Sequence, residues 1–134
     1  MNPNKEKYYR GLFVIAAVYD ILLGIIFTLF PAQAFSALGI SEKLPTFMGY
    51  VTLPGALVLA VGIGYFLIAR GNLRQNADLI LAGTLYKLAY ASTAFYYWSK
   101  GELPHIAFGA LFGVADAIFF VLMAECWIFL KKKV

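Results

Sequence analysis

Four unbroken apolar stretches, at 11–30, 47–69, 77–98 and 106–130, take up most of a 134-residue chain. Each is close to the ~20 residues that a helix needs to cross a ~30 Å hydrocarbon core. In lipid every backbone N–H and C=O must find its partner inside the protein, which leaves only helices and closed barrels. The stretches are continuously apolar rather than alternating, so they predict helices and not barrel strands. The expected fold is all-α: one integral membrane domain over residues 1–134, built as a four-helix transmembrane bundle. Composition agrees, with 62% hydrophobic and 13% charged residues, against about 45–50% and about 25% in soluble domains. The lipid bilayer is thus the first partner.

Lys and Arg set the orientation. Lys5, Lys7 and Arg10 precede the first stretch, Arg70 and Arg74 lie between the second and third, and Lys131, Lys132 and Lys133 follow the fourth. The two remaining connections hold only Lys43 and Lys100. The positive-inside rule then places both termini and the middle connection in the cytoplasm. The excess of positive charge, +4, is accounted for by topology, so no nucleic-acid partner is implied. The 131–133 run also suits contact with anionic lipid. Its first two lysines fit a dilysine retrieval tail, so a bacterial inner membrane and a eukaryotic ER or plasma membrane both stay open. A cleavable signal peptide is not expected. The first stretch is longer than a signal core, contains Asp20, and is followed by no clean small-residue cleavage site. With Cys126 the lone cysteine, an internal disulfide and a CxxC redox motif are excluded.

The connections carry helix punctuation. Asn2-Pro3-Asn4 reads as a cap for the first helix. Pro31 opens a short amphipathic interfacial helix over 31–38, which Gly39 and Pro45 stop. The short polar link 70–76 predicts an antiparallel hairpin of the second and third spans. Tyr96, Tyr97 and Trp98 suit an aromatic belt at the interface. Pro54-Gly55 and Gly62-x-Gly64 predict a kink and a thin face in the second span.

Three of the spans carry a charge near their middle: Asp20, Lys87 and Asp116. Such a group costs at least ~2.5–3.5 kcal/mol on insertion scales. Helical spacing puts Lys87 on a stripe with Gly83, Thr84, Tyr90, Ala91 and Ala94, opposite Leu81, Leu85, Leu88 and Phe95. Asp116 shares a face with Gly109, Gly113 and Phe120, and Asp20 with Ala16, Ala17 and Gly24. All three faces are rich in small residues, as helix–helix contacts in membranes are. At ~1.5 Å per residue, each charge lies ~15–16 Å from the end of its span, near the midplane. Lys87 should therefore reach Asp116, and Asp20 is a second partner within range. Gly109 and Gly113 are expected at the contact of the last two helices. Two acids and one base carry −1 in total, which one proton on a carboxyl, or a lysine shared by both, would balance.

Tyr50, Tyr65, Tyr86 and Tyr90 are candidates for the wall of an amphipathic ligand pocket. Candidate binding residues are thus Asp20, Lys87, Asp116, Tyr86 and Tyr90. Asp20 and Lys87 each follow a tyrosine, Tyr19 and Tyr86, a faint sign of a two-helix repeat. His105 reads as a solvated loop residue. Glu125 faces away from Asp116, placed to snorkel or to pair near Lys131. With one His and one Cys, no transition-metal set can be assembled. No nucleophile elbow, phosphate loop or dinucleotide fingerprint occurs.

The run from Gly24 to Gly39, with its Phe30-Pro31 break and Ala37-Leu38-Gly39, followed by a Gly-rich second helix ending at Arg70, resembles small DoxX-like four-helix membrane proteins. The similarity covers about half the chain. That group is mostly of undefined function, with some members linked to quinone or redox chemistry. No motif here carries a quinone, so no cofactor follows. In size, and in an acidic residue in the first span where Asp20 stands, the chain is similar to small multidrug transporters. Those lack a midplane lysine, and Lys87 would neutralise the charge that attracts cations.

Three functional expectations result. The charged centre handles a proton, an ion or a small amphipathic ligand in transport or binding. Alternatively it only fixes the assembly of an accessory subunit, with association into a homo-oligomer left open. In the third, Lys87 acts as the base or Schiff-base former of an intramembrane enzyme, against which the two nearby acids count.

Overall fold

A computed structural model describes residues 2–132, and every regular element among them is helical. The five helices are α1 (Pro3–Leu29), α2 (Pro31–Ala37), α3 (Gly49–Arg70), α4 (Ala77–Ser99) and α5 (Ile106–Lys132). A single 3₁₀ turn, Ser41–Lys43, interrupts the link from α2 to α3. The predicted stretches fall within one to two residues of α3, α4 and α5. The first helix starts at Pro3, ahead of its apolar stretch and where the Asn2-Pro3-Asn4 cap puts it, because its polar opening turns are helical too. Asn2 caps it as expected: its Oδ1 accepts a bond from the Asn4 N–H at 2.8 Å, with Pro3 at the first helical position. Phe30, restricted by the proline after it, leaves helical geometry and separates α1 from α2. The turn after α2 runs through Gly39 at φ +73°, a left-handed conformation that glycine takes without strain.

α1, α3 and α5 are long and apolar enough to cross a membrane. α4, at 23 residues, is long enough, but Asp78, Thr84, Lys87, Ser92, Thr93 and its four tyrosines make it less apolar than the other three.

The helices form two antiparallel pairs, α1 with α3 and α4 with α5. The α1–α3 pair is held very close by three glycines. A Cβ at Gly24 would stand 2.5 Å from the Leu59 backbone, one at Gly55 2.9 Å from the Phe27 carbonyl carbon, and one at Gly62 2.8 Å from the Ile21 nitrogen. The expected glycine contact between α4 and α5 holds for Gly109, which lies under the Trp98 ring. Gly113 has only ordinary contact room, 3.5 Å from Phe95. The pairs meet along narrower α3–α4 and α1–α5 contacts, which puts α1 and α4 on opposite corners of the bundle.

Two arginines tie one end together by taking up carbonyls that helix C-termini leave without partners. Arg10 donates to the Ala69 and Gly71 carbonyls at 2.6 Å, and Arg74 to the Leu130 carbonyl at 2.9 Å. The start of α1, residues 71–76 and the end of α5 therefore lie at the same end. Lys133, the last of the predicted basic run, lies outside the described residues. At the other end the Lys43 ammonium donates to the Pro104 carbonyl at 2.9 Å. Glu125 pairs with Lys5, at 3.9 Å, at the end of the bundle that Lys131 also occupies. His105 is a half-exposed residue of the connection and also caps the helix that follows, its Nδ1 accepting from the Ala107 N–H at 3.0 Å.

Candidate functional site

The inward faces read from helical spacing are the buried ones. Ala16, Ala17, Asp20 and Gly24 are buried on α1, Thr84, Lys87, Ala91 and Ala94 on α4, and Gly109, Gly113 and Asp116 on α5. Leu85, Leu88 and Phe95 point outward. The three charges consequently converge between the helix pairs. Lys87 Nζ lies 2.9 and 3.1 Å from the two oxygens of Asp20 and 2.9 Å from Asp116 Oδ1. The expected pair with Asp116 is thus one arm of a triad, and the other arm crosses the bundle diagonally to α1. Lys87 is 0% exposed, and Asp20 and Asp116 are each 2% exposed.

Four rings complete the enclosure. Their centroids stand 5.4 Å (Tyr19), 5.6 Å (Tyr65), 5.7 Å (Tyr86) and 4.9 Å (Phe119) from the ammonium, within cation–π range. Two of the rings are fixed by their hydroxyls. Tyr65 donates to the Gly83 carbonyl at 2.7 Å, and Tyr19 to the Leu111 carbonyl at 2.6 Å. Gly83 is required there, since a Cβ would meet the Tyr65 ring at 2.6 Å. Leu111 sits in a π-helical segment of α5, Gly109–Val114, that ends immediately before Ala115 and Asp116. Such wide turns recur at functional sites.

The sequence points to the three charges and to Tyr65 and Tyr86, but not to the cage they form. Tyr19 was legible only as half of a Tyr-Asp dipeptide. Phe119, three residues after Asp116, was passed over for Phe120. The two Tyr-charge dipeptides do converge, since Tyr19-Asp20 and Tyr86-Lys87 meet around one ammonium.

The four candidate tyrosines do not line one pocket. Tyr65 and Tyr86 face a shallow groove between α3 and α4. Tyr50 and Tyr90 belong to a separate apolar cavity of ≈ 260 Å³ towards the Pro104 end, whose wall includes Phe27, Phe35, Val58 and Phe108. Packed side by side, Tyr86 and Tyr90 (centroids 4.8 Å apart, rings tilted by 45°) link the triad to that cavity. Tyr90 is therefore a wall residue of the cavity, while Tyr86 belongs to the lysine cage.

The ammonium has three N–H groups and finds three carboxylate oxygens. While it holds both acids it has no lone pair with which to attack a carbonyl. Any ion or ligand larger than a proton would have to displace one arm of the triad. Compared with protein-family models, curated proteins and solved structures, the chain matches none.

Proposed function

We propose that this chain is a four-helix transmembrane protein with both ends cytoplasmic, whose Asp20–Lys87–Asp116 triad binds and releases a proton in small-scale transport or ligand binding. The observation that carries this reading is the charge count inside the enclosure. Two carboxylates share one ammonium at mid-bundle, so the triad is one proton short of neutrality. Intramembrane ionisable groups of both signs are functional by default. A proton is the one species this enclosure admits without opening. An amphipathic ligand has its own space in the ≈ 260 Å³ cavity, which Tyr90 and Tyr86 join to the triad.

The completeness of the enclosure favours a second reading. With every N–H of Lys87 satisfied and no exposure, the triad equally serves as an assembly device that fixes helix register. Infrared difference spectroscopy separates the two. In the transport reading, a protonated-carboxyl band that is lost in Asp20→Asn or Asp116→Asn follows the pH of the bulk solution. In the assembly reading that band is absent or indifferent to bulk pH. The enzyme reading is the weakest, because it needs a lysine free of both acids.

The membrane frame is tested separately. Reporters fused to either terminus, or inserted at 71–76, are expected to read cytoplasmic, and one inserted between Gly101 and Pro104 to read on the far side. A far-side signal from either terminus would overturn the orientation.

A further inference from the structure

The end of the bundle that gathers the lysines holds a second, amphipathic site. A groove of ≈ 490 Å³ runs between the first turns of α1 and the last turns of α5, and its wall includes Lys5, Tyr9, Val121, Glu125, Ile128 and Lys132. On α5 these positions recur every three or four residues and so form one face. The face exposes Val121 and Ile128, with the half-exposed Glu125 between them, and is cationic at its end. Lys5 Nζ lies 5.4 Å over the Tyr9 ring and 5.5 Å over the Phe129 ring, which positions its charge at the mouth. Glu125, 3.9 Å from Lys5 and half-exposed, offsets only one of the two lysines. Tyr9 is 0% exposed, and its buried hydroxyl has no hydrogen-bond partner among the described residues. Buried hydroxyls are almost always partnered.

We propose that this groove binds one anionic phospholipid, with its phosphate between Lys5 and Lys132 and an acyl chain along Val121 and Ile128. The charge complements an anion, and the apolar wall continuing from the charged mouth requires a chain attached to it. The inference rests on the membrane reading but not on the role of the triad.

The test is native mass spectrometry of the full chain in non-ionic detergent, titrated with a phosphatidylglycerol, with a phosphatidylcholine of the same chains, and with glycerol phosphate. One phosphatidylglycerol per chain should bind in preference to phosphatidylcholine, and glycerol phosphate should not bind. The double variant Lys5→Ala/Lys132→Ala should weaken phosphatidylglycerol about 30-fold and leave phosphatidylcholine unchanged. Glu125→Gln, which frees Lys5, should tighten phosphatidylglycerol binding. Equal binding of the two lipids, glycerol phosphate binding as well as the lipid, or an unchanged double variant would overturn the proposal. Should the double variant not fold, a Glu125→Gln chain that binds no tighter than the parent does the same. A chain that stays soluble without detergent refutes the membrane frame, whereas a micellar chain without lipid preference refutes only this site.

Discussion

Lys87→Met is expected to lower stability by about 3–5 kcal/mol, the usual loss when one partner is stripped from a buried ion pair. The substitution leaves Asp20 and Asp116, each only 2% exposed, facing each other with no second cation beside them among the described residues. Asp116→Leu and Asp20→Leu should each do less harm, since Lys87 keeps one carboxylate in either case. Combining Lys87→Met with Asp116→Leu should recover only part of the loss, because Asp20 remains buried and unpaired. The triple variant Asp20→Leu/Lys87→Met/Asp116→Leu should recover most of it, as apolar replacements of whole buried ion clusters do. Unfolding in detergent, followed by helical signal, reads the complete cycle. Single losses that simply add would mean that the three groups do not interact. A triple variant that is stable but lacks the pH-dependent carboxyl band would be the sign of a functional site built on a dispensable structural one.

Gly62→Ala is the second large effect. Its new Cβ meets the Ile21 nitrogen at 2.8 Å and the Asp20 Cβ at 3.0 Å, so α3 must move off α1 at the level of the triad. Overpacking of this kind costs about 1–3 kcal/mol. The displacement of Asp20 adds to it, so the carboxyl band should shift as well as the melting temperature. Gly24→Ala, which runs into the Leu59 backbone at 2.5 Å, should destabilise similarly without moving the band, being a full turn away from Asp20. Gly64, two residues along the same helix, has nothing within 4 Å of a Cβ. Gly64→Ala should therefore be neutral, or stabilising by up to ~1 kcal/mol through helix propensity. Equal melting of the Gly62 and Gly64 variants in detergent would refute the close α1–α3 approach. Gly113→Ala should also be tolerated, its Cβ finding only 3.5 Å contacts.

What the chain determines by itself is whatever depends on short stretches of sequence. Segment length and the need to satisfy backbone groups in lipid yield the helices near their observed ends. Asn2, Gly39 and the Phe30-Pro31 break act through neighbouring residues and work as read. The inward faces of Asp20, Lys87 and Asp116 follow from a 3.6-residue period. The tertiary structure alone decides how those faces meet. Gly24 is on a different helix from Gly55 and Gly62, and the three become one contact only when α1 and α3 are antiparallel in this register, whereas the Gly109-x-x-x-Gly113 spacing is visible within one segment. Lys87 takes Asp20 as well as Asp116 because α1 and α4 stand at opposite corners, with the ammonium between them. A π-helical turn at Gly109–Val114 precedes Asp116 on α5, and the ring that reaches Lys87 is Phe119 rather than Phe120. A helix's own sequence fixes which side is buried. Its rotation and depth against its neighbours are set by packing, and a cage of rings around one ammonium depends on all of those rotations at once.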